Sequence, residues 1–225
     1  FGEAEWEWRY FPFIDKCSAK IPRGRFYIVK NPVQGKSILE IGSAMGRAYS
    51  FLKESGLVDL SQYTGLEISE TGHTFCKKTY PEANWLQSDF TQHEFDQHYD
   101  YAFERNAIHH MPDPIAQYRK LLKHLKQGML TSFRGCLEGE TISDLEKGFF
   151  RQESQDRYYL NVINVFEVVQ IALEEGFNHI EVNTSADLPP IPTDLGGQWY
   201  LTPEVQENRS LQFLIVFACR CLGSD

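Results

Sequence analysis

Between Ser37 and Arg47 the chain reads SILEIGSAMGR, a short apolar run that ends in a carboxylate and a glycine-punctuated turn. Ile38, Leu39 and Ile41 carry the pattern of a buried strand, and Gly42 and Gly46 leave the backbone free where a side chain would block a ligand. A helix pattern, Arg47 to Ser55, follows at once and stops at Gly56. A strand that turns through glycines into a helix N-terminus presents free N–H groups to an electron-rich ligand, and Glu40 at the strand's end adds an acceptor. That is the geometry of a nucleotide-type cofactor site. The spacing is E-x-G-x-x-x-G, with Ala44 where a middle glycine would stand, and so differs from the G-x-G-x-x-G of dinucleotide binders.

The alternation continues downstream. Tyr63 to Ile68 reads as a second strand ending at Glu67, and Ser69 caps a helix from Glu70 to Thr79 that Pro81 terminates. An acid at such a strand tip accepts two hydrogen bonds from vicinal ribose hydroxyls. Asn84 to Gln87 is a short third strand, followed by Ser88-Asp89-Phe90, where Asp89 is placed to accept from an exocyclic amine and Phe90 to line a base pocket. Tyr99 to Glu104 forms a fourth strand, and the segment from Arg105 to Pro114 leaves it carrying His109 and His110. Adjacent side chains of an extended segment project oppositely, so one histidine is expected to meet a substrate and the other to anchor the loop. Asp113 and Pro114 open a helix, Ile115 to Leu125, which Gly128 closes and whose dipole Lys120, Lys123 and Lys126 complement.

Met129 to Phe133 gives a fifth strand, and 134–156 reads as an irregular, charged insertion that shapes a substrate pocket. Tyr158 to Glu175 is expected as one long amphipathic helix presenting Val162, Val165, Phe166, Val169 and Leu173 on one face. Phe177 to Val182 is strand six. A proline- and glycine-rich loop holding Trp199 and Tyr200 precedes the last strand, Leu211 to Cys219, whose near-continuous apolarity says that both its faces are covered.

The 225 residues suffice for one substantial core, so the reading is one domain over 35–225 preceded by an aromatic cap segment, 1–34, either a hydrophobic strap or a lid. With 22 Lys and Arg against 31 Asp and Glu, the net charge of -9 opposes association with phosphate backbones, so nucleic acid is an unsuitable partner. Five cysteines without a C-x-x-C pair suggest neither a disulfide framework nor a zinc site, and favour a reducing cytoplasm. No signal-peptide pattern or run of transmembrane length is visible, so no membrane association is expected.

In order and spacing, these motifs resemble those of the class I S-adenosylmethionine-dependent methyltransferases. LEIGSAMG is similar to that family's first motif, TGLEIS to its ribose-binding acid, QSDF to its adenine-binding step, and YDYAFERNAIHHMPDP to its fourth-strand segment, the likeness spanning roughly 35–220. The resemblance implies a three-layer α/β sandwich with a Rossmann-like, seven-stranded, mainly parallel sheet in the order 3-2-1-4-5-7-6, strand 7 antiparallel. It also implies Gly42, Ser43 and Gly46 around the methionine part of S-adenosyl-L-methionine, with Glu40 at the same motif. Glu67 and Ile68 would meet the ribose, Asp89 and Phe90 the adenine, and the backbone near Glu104 and Arg105 the amino group. The Asn/Asp-Pro-Pro-Tyr signature of base- and glutamine-methylating relatives is absent at Arg105 to Ile108, which with the acidic charge points to a small-molecule acceptor. O-methylation is expected, with one of His109 and His110 as base and no metal. Two rival readings are a catalytically silent methyltransferase-like binding subunit and a nucleotide-dependent oxidoreductase.

Overall fold

The computed structural model describes residues 35–55, 60–151, 157–185, 199–207 and 211–220. The cap segment expected at 1–34 lies outside them. Strand β1 (Ile38–Ile41) is buried along its whole length, sending Leu39 and Ile41 into one core and Ile38 into another. Burial of both faces makes it a central strand, and the parallel ladders agree: β1 pairs with β2 (Tyr63–Glu67) on one side and β4 (Tyr99–Arg105) on the other. Helix α1 (Arg47–Ser55) follows the glycine turn, α2 (Glu70–Thr79) follows β2, and β3 (Asn84–Gln87) pairs parallel to β2. As expected, Ser69 caps α2, its hydroxyl accepting from Gly72 N.

After β4 a short 3-10 turn (Ile108–His110) leads to α3 (Pro114–Lys123), with Asp113 as N-cap and Pro114 in the first turn. The helix ends earlier than the pattern suggested. His124 caps it, and β5 (Leu125–Cys136) starts immediately, so Gly128 and Lys126 belong to a strand. A Cβ on Gly128 would be tight there, 3.1 Å from the Ala218 carbonyl and 3.2 Å from the Tyr101 ring.

The insertion is more ordered than expected. Strands β6 (Gly148–Arg151) and β7 (Arg157–Tyr159) form an antiparallel ladder, and β8 (Ile163–Asn164) braces the end of β5. Helix α4 is therefore only Val165–Glu174, because Asn164 ends the strand and accepts from Phe166 N at 2.7 Å. The buried face is Val165, Val168, Ile171 and Ala172, while Phe166 and Leu173 are more than half exposed, which corrects the predicted stripe. Next come β9 (His179–Ser185), β10 (Trp199–Leu201), α5 (Pro203–Glu207) and β11 (Leu211–Cys219). The segment read as a loop around Trp199 and Tyr200 thus supplies a strand, completing a small sheet β10-β6-β7.

The main sheet runs β3-β2-β1-β4-β5-β11-β9, with β11 antiparallel to both neighbours. Counting β9 and β11 as strands six and seven, this is the expected order 3-2-1-4-5-7-6. On one face, Tyr118, Leu121, Val168 and Ile171 from α3 and α4 pack on Leu39, Ala102, Met129 and Phe133. On the other, Tyr49 and Leu52 of α1 pack on Ile38, Tyr63, Tyr101 and Leu130. Each Leu, Ile, Val, Met or Phe among them contributes roughly 1.5–3 kcal/mol of transfer free energy. One cysteine expectation is corrected as well: Cys76 and Cys136 are buried, but Cys219, at the end of β11, is disulfide-bonded.

Candidate active site

At the carboxyl ends of β1 and β4, a cleft of about 240 Å³ is lined by Glu40, Gly42, Ser43, Ala44, Arg47 and Arg105, among others. Its floor is the glycine turn. Gly42 has φ 71°, and a Cβ there would fall 2.5 Å from that of Ala107, so only glycine lets the turn pass the β4 loop. Gly42 N and Ser43 N both donate to Leu66 O, at 2.9 and 3.2 Å. Ala44 also takes a left-handed φ of 47°, a conformation that costs a residue with Cβ about 1–2 kcal/mol. Glu67 is what holds it: Oε2 accepts from Ala44 N at 2.6 Å and Oε1 from Ser69 N at 2.8 Å. One carboxylate thereby buckles the loop after β1 to the loop after β2.

Two further groups in the cleft face inward with unusual chemistry. Ser43 is buried, and its Oγ has no hydrogen-bond partner among the described residues. Glu40 is buried and accepts a hydrogen bond from Tyr63 OH. Burial raises its carboxyl to about 7, against the opposing pull of the Tyr63 hydrogen bond and Arg105.

The other expected cofactor residues occupy distinct roles. Asp89 Oδ1 accepts from Thr91 N and Thr91 Oγ1, both at 2.8 Å, a local turn. The ring of Phe90 is in the core, 5.9 Å from that of Phe95, and the open apolar side chain at this corner is Ile68, 63% exposed. Lys120 fixes the Asp89 turn by donating to Phe90 O at 2.8 Å and Thr91 O at 3.2 Å, a role beyond the dipole reading. Glu104 points inward. Its carboxylate accepts from Ala107 N (2.6 Å), Ile108 N (2.9 Å), Tyr118 OH (3.0 Å) and Thr131 Oγ1. It moulds the loop after β4, whose Arg105, Asn106 and Ala107 line the cleft.

The histidines form a directed pair. His110 Nδ1 lies 2.7 Å from Tyr159 O, and His109 Nε2 lies 2.9 Å from His110 Nε2. A carbonyl only accepts, so His110 Nδ1 carries the proton and, in the neutral ring, His110 Nε2 is bare. His109 Nε2–H therefore donates to it, which leaves His109 Nδ1 bare. That nitrogen is buried without a partner among the described residues. Burial holds both imidazoles below the usual histidine range, His109 well below, so both are neutral near pH 7.

Sequence reasoning missed the residues that hold this pair. Asn161 N donates to His109 O at 3.0 Å and Asn161 Nδ2 to Met111 O at 2.6 Å, clamping the turn from β7's far end. Phe150 packs 5.4 Å from the His110 ring, and Tyr158 is its cross-strand partner. Nothing local marks Asn161, Tyr118 or Thr131, since each acts across more than ten residues of sequence.

A family model described as a methyltransferase domain matches residues 8–158, more than half of the chain. No curated protein matches it. Among solved structures, the chain is similar to an S-adenosylmethionine-dependent methyltransferase from Mesorhizobium loti, at 17% identity over 84% of this chain and 93% of that one, TM-score 0.57. It is also similar to the N-terminal domain of EvdMO1 with S-adenosylhomocysteine bound, at 14% identity over 98% of each chain, TM-score 0.59. A third is magnesium protoporphyrin IX methyltransferase from Synechocystis with S-adenosylmethionine bound, at 14% identity over 83% and 71%, TM-score 0.52. At these identities the structural likeness carries the fold, and the family match carries the chemistry.

Proposed function

This chain belongs to the methyltransferase domain family and is a class I S-adenosylmethionine-dependent methyltransferase, and on that premise we propose that it methylates a hydroxyl oxygen of a small-molecule acceptor. The observation that carries the oxygen reading is the bare, buried His109 Nδ1 on the loop that leaves the cofactor cleft. An alcohol or phenol has to lose a proton before or as its oxygen attacks, and a neutral imidazole with an unshared lone pair accepts it. The net charge of -9 supports a small molecule over a nucleic acid. With the family established, the oxidoreductase reading is set aside.

The residues present fit the cofactor. Ser43 Oγ, buried and without a partner among the described residues, suits its methionine end. Glu67 has lone pairs left for ribose hydroxyls after accepting from Ala44 N and Ser69 N, and Ile68 and the Asp89 turn suit the adenine. When bound, the cofactor supplies a methyl group already activated by its sulfonium. The protein's task is alignment and proton removal. Glu104 sets the path of the β4 loop, Asn161 clamps it, His110 fixes the tautomer of His109, and His109 takes the proton.

A cytoplasmic location remains part of this reading on the free thiol of Cys76; the disulfide at Cys219 is the observation that counts against it. Among the described residues no helix is long and apolar enough to cross a membrane.

The test is turnover of the parent and His109→Gln with matched hydroxyl and amine acceptors, alongside calorimetric titration with S-adenosylhomocysteine. The variant is expected to lose roughly 10²- to 10⁴-fold in turnover while binding the cofactor product normally. Its acidic limb of rate against pH, which in the parent falls below the usual histidine range, should vanish. Methylation of amines alone, or an unchanged rate in the variant, overturns the reading.

A further inference from the structure

The residue that clamps the 3-10 turn carries a second bare acceptor. Asn161 is 1% exposed, and because its Nδ2 donates to Met111 O, its amide orientation is fixed and Oδ1 is the atom left over. Oδ1 is buried and has no partner among the described residues, as is true of His109 Nδ1. The two side chains share one short segment, since Asn161 N donates to His109 O and Asn161 Nδ2 reaches on to Met111 O. Two buried acceptors without donors are unfavourable by themselves, and a ligand with two donors relieves both. Aromatic rings stand on the His110 side: the Phe150 ring lies 5.4 Å from that of His110 at 37° to its plane, and Tyr158, paired with Phe150 in the ladder, is 39% exposed.

We propose that His109 Nδ1 and Asn161 Oδ1 form a two-acceptor subsite, and that the acceptor is an aromatic ring bearing two neighbouring hydroxyls, one of which is methylated. This rests on the O-methylation reading and names its substrate class. One hydroxyl gives its proton to His109 Nδ1. Its oxygen bonds to the transferred methyl carbon as the carbon–sulfur bond breaks, turning the sulfonium into a neutral thioether. The imidazolium so formed is held by its Nε2–H bond to His110. The second hydroxyl keeps its proton and donates it to Asn161 Oδ1, which sets the position methylated. Asn161 is here a binding residue and His110 a positioning residue.

The test uses the intact chain saturated with S-adenosylhomocysteine and three probes: catechol, phenol, and guaiacol, in which one hydroxyl is already a methyl ether. Catechol is expected to bind roughly 10- to 100-fold more tightly than phenol, with guaiacol no better than phenol, because only a donor satisfies Asn161 Oδ1. In Asn161→Ala the gap should close. If the alanine variant does not fold, the three-probe comparison in the parent decides. Equal binding of catechol and phenol overturns the subsite, water then serving those atoms, and leaves O-methylation standing if phenols are still methylated. Failure of every phenol to bind or react, with amines methylated instead, overturns both.

Discussion

Ala44 sits left-handed without being glycine, and Glu67 is the group that keeps it there. Replacing Ala44 with glycine should remove the Cβ strain at the expense of a more disordered unfolded chain, giving a net gain of up to about 1 kcal/mol in chemical denaturation. Glu67→Ala should instead release two N–H groups and weaken S-adenosylhomocysteine binding by about 1–3 kcal/mol in titration calorimetry. Glu40 gives a pH signature. Its folded value, about 7 against an ordinary 4.5, means that the native state holds the extra proton between those limits. Its contribution is full below about 4.5 and lost as pH rises through 7. Glu40→Gln keeps an acceptor for Tyr63, so its stability relative to the parent should improve by up to about 3 kcal/mol between pH 4.5 and 8, read from urea midpoints. The depressed histidines act oppositely, withdrawing stability as pH falls below 6.5. At this scale, the glycines at 42 and 46 were legible because turn geometry restricts residue type, whereas the tie that Glu67 makes between Ala44 N and Ser69 N was not. The inward turn of Glu104 was not, since its partners Tyr118 and Thr131 come from other elements.

Helices were readable where a cap announces them. Ser69 and Asp113 were found by pattern, and both side chains do accept from the first turn, at Gly72 N and Ala116 N. Asn164 was missed because apolar residues run unbroken into it from β8, and periodicity alone does not separate a short buried strand from the start of a helix. It is a junction as much as a cap, since Nδ2 also donates to Gly139 O and its backbone N to Thr141 Oγ1. Asn164→Ala is expected to destabilise by about 1–2 kcal/mol in thermal or denaturant unfolding. Arg119, which bridges α3 to Glu174 of α4 and to Glu175 just beyond it from an exposed position, is the contrast: Arg119→Ala should leave the denaturant midpoint nearly unchanged.

For the whole molecule, the strand order followed from alternation plus resemblance, whereas the small sheet β10-β6-β7 did not, because its strands are short and drawn from segments rich in charge, proline and glycine. That sheet is joined to the body chiefly at the histidine turn and beneath Leu160, Val162 and Leu201, so its opening energy should lie below that of the main sheet. Hydrogen exchange should find β1, β4, β5 and β11 slowest and β6 and β7 markedly faster, with protection of β6 and β7 rising when an acceptor joins the S-adenosylhomocysteine complex. The position of β11 reaches further, into how the protein is made. It lies between β5 and β9 in space but after both in sequence, and it is the neighbour through which β9 joins the sheet. On the ribosome, β5 therefore emerges with one long apolar edge open and stays so until Leu211–Cys219 is synthesised, a delay on the order of ten seconds at ordinary elongation rates. During that interval the nascent chain is a sticky half-sheet, and its yield in a cell depends on whatever shields that edge until the closing strand arrives.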